Sequence, residues 1–166
     1  MLDFAHRTEA TINADPKVLF DIISDAALHA RLAGSGELNA VKQEPPGPFG
    51  LGARILVDET LKLVDGTGMD LSSESIIVAF DPPNRLSWIV GRLTLPEQFR
   101  RLQWWFTLTP TGPDSTHVVH EVELDIGDPQ TEAVQGIKGH FEEIRAPVVR
   151  AGMERTLENL RALAER

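Results

Sequence analysis

The stretch ATINADPKVLFDIISD, residues 10–25, decides the fold because it joins a strand to a helix at one point. Apolar and polar residues alternate up to Ile12, which predicts a strand that ends there. Asp15 can accept a hydrogen bond from a free amide of a first helical turn, and Pro16 has no amide to leave unpaired. We therefore expect a helix to begin at Pro16. Its apolar residues fall at helical spacing and must be covered by another element: Val18, Leu19, Ile22 and Ile23.

The chain from residue 37 to residue 126 alternates with a period close to two, which is typical of strands. The alternating segments lie near residues 37–44, 53–63, 69–80, 85–93, 98–109 and 116–126. Turn-forming sequences separate them at 45–52, 65–68, 81–84, Leu95-Pro96-Glu97 and 110–114. Six strands joined by such short turns predict an antiparallel meander, and the strand that ends at Ile12 makes seven.

Helical patterns occur on both sides of the meander. Asp25 can cap a second short helix through Ala26 to Leu32, and the following Gly34-Ser35-Gly36 ends it. Near the C-terminus, apolar residues recur three or four positions apart and predict a long amphipathic helix: Val149, Met153, Leu157, Leu160 and Ala164. Pro147 either starts the main body of this helix or kinks an earlier turn that begins near Phe141.

An antiparallel sheet with one apolar face and a helix with one apolar stripe can bury both surfaces by packing together. A sheet of this length coils, and a helix only ~10 Å across does not fill the whole concave side. The space between sheet and helix is therefore a candidate pocket.

Composition restricts the classes of function. The chain has 166 residues, of which 42% are hydrophobic, so we expect a single domain over residues 1–166. It has no cysteine, which excludes disulfides and thiolate chemistry. The net charge of -9, from 16 Lys and Arg against 25 Asp and Glu, disfavours binding to nucleic acid. We find neither a leader pattern nor an apolar run long enough to span a bilayer, and expect a cytoplasmic protein.

Five local motifs in this order resemble the helix-grip (SRPBCC) superfamily of START, birch-pollen-allergen-like and polyketide cyclase/dehydrase proteins. They are TINADPKVLFDIISD, GPFGLGARI, FDPPNRLSWIV, WWFTLTPTGPDSTHVVHEVEL and GMERTLENLRALAE. The resemblance implies an α+β fold with a seven-stranded curved antiparallel sheet and two short helices after the first strand. The long C-terminal helix is expected to pack across the concave face of this sheet. It also implies a cavity for a lipid, polyketide or aromatic compound, with catalysis in only some members. We expect no cofactor.

Strand parity assigns side chains to the concave face, if the more apolar parity of each strand faces inward. We predict that six residues contact the ligand: Trp88, Trp104, Phe106, Thr8, Val57 and Met153. Flat aromatic rings suit flat apolar ligands, although the same rings could simply pack under the final helix. Trp105 falls on the opposite parity beside Arg101, which indicates either a cation–π pair or a homodimer surface.

Three inward residues are candidates for acid–base chemistry: His6, His120 and Glu59. Histidine titrates near neutral pH, and a carboxyl group among apolar neighbours has a raised pKa. The alternatives are hydrogen-bonded core histidines and a glutamate that reaches solvent. These three would be a bare minimum for a metal, and no HxH or HxxxH spacing supports one, so we expect no metal site.

Three functions remain open at this point. The first is binding of a hydrophobic small molecule in the cavity. The second is a cyclase or dehydratase that uses the cavity His and Glu residues as acid–base groups, which requires these side chains to converge on one position. The third is a protein-interaction module resembling the heat-shock-chaperone activators, for which a filled interior and an exposed apolar patch are expected.

Overall fold

The computed structural model of the protein describes residues 1–92 and 99–165, except for the side chain of Arg92. Within these ranges seven strands form one curved antiparallel sheet. The strands are β1 (Phe4–Ile12), β2 (Leu38–Gln43), β3 (Arg54–Lys62), β4 (Gly68–Asp81), β5 (Arg85–Arg92), β6 (Arg101–Gly112) and β7 (Ser115–Asp125). The α-helices are α1 (Pro16–Ile23), α2 (His29–Leu32), α3 (Glu132–Gly139), α4 (Phe141–Ile144) and α5 (Ala146–Ala164).

The strand order in the sheet is β1-β7-β6-β5-β4-β3-β2. The chain meanders from β2 to β7, and β7 then pairs with β1, so the consecutive strands β1 and β2 form opposite edges. The segment with α1 and α2 crosses between these edges. The predicted meander is confirmed, and each of the six alternating segments overlaps one strand, although β6 continues to Gly112 into the predicted turn at 110–114. The predicted turn Leu95-Pro96-Glu97 lies outside the described residues.

Helix α1 begins at Pro16, as the sequence predicts. The Asp15 carboxylate accepts a hydrogen bond from the backbone N–H of Lys17 at 2.8 Å. The buried side of the helix consists of Leu19, Phe20 and Ile23, and it packs against α5 and β6. Val18 is 45% exposed and does not belong to the buried face, because that face is centred one residue further along the helix.

The C-terminal segment divides at Arg145. Helix α4 ends before this residue and α5 begins after it, with Pro147 in the first turn of α5, where a missing amide costs nothing. The sequence did not predict α3, whose Gly136 and Gly139 are poor helix formers and whose one buried residue is Val134. Among the described residues no helix is long and apolar enough to cross a bilayer.

The loop after α2 is held tightly against α5. The backbone N–H of Gly34 donates to Thr156 Oγ1 at 2.9 Å, and Arg155 donates to the Gly34 carbonyl at 2.7 Å. A Cβ atom at position 34 would lie 2.3 Å from the carbonyl oxygen of Gly152, so only glycine permits this approach. The loop consequently packs closely along the long helix.

Candidate functional site

A cavity of about 170 Å³ lies between the concave face of the sheet and α5. Strands β2 to β7 supply one side, and α2, the loop after it and α5 supply the other. The buried apolar residues form two clusters, and the cavity wall includes members of both, such as Phe106 from one and Met153 from the other. The core is therefore not continuous, and the cavity occupies part of the space between its two clusters.

Four stacked rings on neighbouring strands form an aromatic wall of this cavity: Trp88, Trp104, Phe106 and His120. Trp88 is the cross-strand partner of Trp104, and Phe106 is the partner of His120. The indole planes are 14° apart with centroids separated by 6.4 Å. The His120 ring lies 4.1 Å from that of Phe106 and 5.5 Å from that of Trp104. Such a surface favours contact with flat apolar molecules.

His120 is a buried neutral imidazole. Its Nδ1 lies 2.9 Å from the carbonyl oxygen of Trp105, and a carbonyl can only accept, so Nδ1 carries the hydrogen. Burial lowers the pKa of His120 to about 4, with a smaller contribution in the same direction from His6. The hydrogen bond to Trp105 opposes this shift without cancelling it. The ring is therefore uncharged at neutral pH, and its Nε2 is an acceptor.

Polar side chains of β3 and β4 form another part of the wall. Ser73 donates a hydrogen bond to the Glu59 carboxylate at 3.2 Å, and Ser75 lies two residues further along the same strand. All three side chains line the cavity. The cavity thus has an aromatic region on β5 to β7 and a hydrogen-bonding region on β3 and β4.

A buried ion pair completes the wall between the sheet and α5. The guanidinium of Arg145 donates to both carboxylate oxygens of Glu37, with Nη2 3.0 Å from Oε1. Arg145 also donates to the carbonyl of Lys62 at 2.9 Å, and Glu37 accepts from the backbone N–H of Lys62 at 2.6 Å. The side chains of the pair are only 11% and 10% exposed. This pairing satisfies both charges within the protein and joins the end of β3 to the start of α5.

The structure brings together seven of the nine residues that the sequence nominated. The wall contains Glu59, His120, Trp88, Trp104, Phe106, Val57 and Met153. His6 and Thr8 are not among the described residues of the wall, because α5 packs directly on the edge strand β1. His6 instead stacks beside Phe4, and its Nε2 is buried without a hydrogen-bond partner. Of the two candidate histidines, His120 lines the cavity and His6 does not.

Sequence reasoning missed several polar residues of the wall: His29, Glu37, Ser73, Ser75, Arg145 and Thr156. Ser73 and Ser75 lie on the inward-facing parity of their strand, so strand alternation could have predicted that they line the cavity. Glu37 and Arg145 are 108 residues apart, and nothing local in the sequence indicates that they meet. The guanidinium of Arg101 lies 5.8 Å from the ring centroid of the outward Trp105. This agrees with the cation–π pair, which was one of the two interpretations of this residue. The homodimer surface stays a prediction.

The described residues contain no group of three or more His, Asp or Glu side chains that could hold a metal ion.

Residues 4–165 match the model of the family described as polyketide cyclase/dehydrase and lipid transport. The chain belongs to this family. A sequence comparison with curated proteins found no match. The structure of this polyketide cyclase/dehydrase-family chain is nevertheless similar to many solved structures, which agrees with the helix-grip fold that the sequence motifs indicated.

Three of these solved structures cover nearly the whole chain. Protein CV1439 from Chromobacterium violaceum has a TM-score of 0.67 at 13% identity, with 98% of this chain and 97% of that chain covered. The major latex-like protein 151 from Panax ginseng has a TM-score of 0.67 at 10% identity, with 98% of both chains covered. A START superfamily protein from Mycobacterium smegmatis has a TM-score of 0.61 at 12% identity, with 97% of both covered. Identities this low indicate a shared fold.

The low pKa of His120 predicts that stability falls when the pH is lowered from 6.5 towards 4. In this range the imidazole of the unfolded chain, with its ordinary pKa of 6.5, is protonated. The imidazole of the folded protein stays neutral until the pH approaches its lowered pKa of about 4. The difference corresponds to a loss on the order of 3 kcal/mol, complete near pH 4. Burial also lowers the pKa of His29, which acts in the same direction.

Urea denaturation at pH 7 and at pH 4.5 measures this effect. The variant His120→Phe should lose a large part of the pH dependence, whereas His117→Phe, at a side chain that is 34% exposed, should retain it. Equal pH dependence in the parent and in His120→Phe would show that His120 is not the group responsible.

Proposed function

We propose that this protein binds a compact hydrophobic molecule, with one or two aromatic rings, in the cavity between the sheet and α5. The observation that supports this most directly is the aromatic wall of Trp88, Trp104, Phe106 and His120. Apolar residues such as Val57 and Met153 line the same space. A pocket that is mostly apolar with a few convergent polar groups is the usual form of a small-molecule site. Membership of a family described in part by lipid transport is consistent with this function.

The size of the cavity narrows the class of ligand. An engineered apolar cavity of about 150 Å³ in another protein binds benzene, and sites for drug-sized ligands span about 300–1,000 Å³. The cavity here, at about 170 Å³, is close to the first of these. We therefore favour a compact ring system, such as an aromatic compound or a small polyketide, over an extended acyl chain.

Two measurements test binding directly. Native mass spectrometry of the freshly purified protein should detect a bound molecule without prior assumption about its identity. Titration with one-ring and two-ring aromatic compounds should change the fluorescence of Trp88 and Trp104, which line the cavity. A fatty acid series is the comparison. If no compound of either series altered the fluorescence or was retained in the mass spectrum, the proposed function would be rejected.

Replacing Trp104 with leucine should weaken binding more than folding. The substitution keeps an apolar side chain but removes the flat ring that stacks between Trp88 and His120. We expect the affinity for an aromatic ligand to fall by about 1 kcal/mol or more, with a modest loss of stability. A ligand titration and a thermal melt of the same variant measure the two effects.

The matched control for this experiment is Trp105→Leu, on the adjacent position of the same strand. Trp105 packs with Arg101 and is not among the described residues of the cavity wall. Its replacement should leave affinity unchanged. Loss of binding in Trp105→Leu alone would reverse the assignment of the ligand-binding face of β6.

A second candidate function is proton-transfer catalysis of the cyclase or dehydratase type. One observation favours it, namely that Glu59 and the neutral His120 line the same cavity. An imidazole with a free Nε2 can accept a proton, and a carboxyl group can return one. Mass spectrometry of the co-purified molecule before and after incubation distinguishes the two functions. Loss of one water from the molecule would indicate dehydratase turnover, and a changed chromatographic retention at unchanged mass would indicate cyclisation. A molecule unchanged in both mass and retention would support binding alone.

The third hypothesis was a protein-interaction module. It required a filled interior beside a large exposed apolar patch, whereas the space under α5 contains the cavity.

A further inference from the structure

The ring nitrogen Nε2 of His120 is the feature of the cavity that points to a particular class of ligand. The residue is only 4% exposed, and the ring is held between Phe106 and Trp104 at centroid distances of 4.1 and 5.5 Å. Its Nδ1–H is used by the carbonyl of Trp105. Within the described part of the chain, Nε2 has no hydrogen-bond partner, although the side chain lines the cavity. This Nε2 is accessible and is not among the buried unpaired atoms of the described residues, so a ligand in the cavity can supply a donor to it and the hydrogen bond would stabilise the complex.

The surroundings of the cavity disfavour an anionic ligand. Arg145, the cation among the described wall residues, donates to both oxygens of Glu37 and to the carbonyl of Lys62. A ligand carboxylate would have to displace Glu37, which would leave two carboxylates competing for one guanidinium. Glu59 adds a further carboxyl group to the wall. The neutral imidazole of His120 offers no charge to offset these carboxylates.

The remaining requirement is a neutral group that can donate to Nε2. A hydroxyl group on an aromatic ring meets it, because the ring can stack on the aromatic wall while its O–H points along the plane towards a neighbouring acceptor. We propose, resting on the binding function above, that the ligand is a compact neutral aromatic molecule with a hydroxyl group, and that this hydroxyl donates a hydrogen bond to Nε2 of His120. His120 is then the residue that determines specificity for hydroxylated rings.

The test uses three one-ring probes of similar shape: 4-methylphenol, toluene and 4-methylbenzoate. NMR titration of the ¹⁵N-labelled protein gives a Kd for each, and long-range ¹H–¹⁵N spectra follow the Nε2 signal of His120. We expect 4-methylphenol to move this signal and toluene to leave it in place. In His120→Phe, which keeps a flat ring in the stack, the preference for 4-methylphenol over toluene should fall about tenfold. His117→Phe, on the same strand, should keep the preference.

The outcomes separate this inference from the function on which it rests. If none of the probes bound to the parent protein, the proposed binding function would fail, and this inference with it. If toluene and 4-methylphenol bound but the Nε2 signal did not move, or the preference survived in His120→Phe, the inference alone would be overturned. Tighter binding of 4-methylbenzoate than of 4-methylphenol would overturn it as well. If His120→Phe did not fold, the Nε2 signal of the parent would decide.

Discussion

Replacing Arg145 with methionine is expected to lower the free energy of unfolding by about 3–5 kcal/mol. The side chain of Glu37 is 10% exposed, and two of its hydrogen bonds come from the guanidinium of Arg145. Methionine fills a similar volume but leaves this carboxylate buried without its counter-charge. Breaking a buried pair from one side costs far more than the intact pair contributes. Urea denaturation at pH 7 measures the loss as a shift in midpoint at constant slope.

A more exposed pair that also has two hydrogen bonds provides the control. Arg54 donates two hydrogen bonds to Glu74 at 3.0 and 2.9 Å, but its side chain is 49% exposed. Arg54→Met should cost about 1 kcal/mol or less, because water replaces the lost partner. The double variant Glu37→Gln with Arg145→Met should recover much of the stability that Arg145→Met loses. Equal losses in Arg54→Met and Arg145→Met would contradict the assignment of a buried, mutually dependent pair.

Replacing Leu157 with alanine should destabilise the protein by about 2–5 kcal/mol. Leu157 is 4% exposed and belongs to the hydrophobic cluster that contains Leu19 and Ile23 of α1. Truncation removes buried methyl groups and leaves a space that the packed helices cannot fully close. Because α1 packs against α5, the truncation should weaken the packing of both helices. Thermal melts and urea denaturation give the magnitude.

The neighbouring Glu158→Ala variant is the control for Leu157→Ala. Glu158 is the next residue of the same helix and is exposed. Its replacement should change stability by less than about 0.5 kcal/mol, since alanine is a good helix former and no buried contact is lost. Two variants of equal stability would show that the apolar stripe of α5 does not face the sheet as described.

The aromatic part of the cavity could be predicted from strand alternation. Successive side chains of a strand point to opposite faces, so one correctly assigned residue such as Leu102 orients Trp104 and Phe106 as well. The same parity selected His120 on β7, and the register pairs it with Phe106. Parity alone does not say whether an inward residue meets a helix or open space. That is why His6 was nominated with His120, although α5 packs on β1 and the cavity lies elsewhere.

The polar part of the cavity depended on contacts between distant segments. Glu37 follows a glycine-containing loop, and Arg145 lies between two helices, so each reads locally as a solvent-exposed charge. They meet because the sheet and the kink between α4 and α5 bring the ends of β3 and α5 together. The free Nε2 of His120 likewise results from a hydrogen bond to Trp105 on the neighbouring strand.

The sequence by itself determined the seven strands, the helices α1, α2 and α5, and the order of these elements. Asp15 and Pro16 start α1, the period of two defines the strands, and the apolar stripe around Leu157 defines α5, because these signals act over a few neighbouring residues. Tertiary structure alone decided where the cavity lies and which of its polar groups are paired. Cavity volume, burial and hydrogen-bond pairing arise from packing between segments up to 108 residues apart, as in Glu37 and Arg145, and local patterns do not encode such distances.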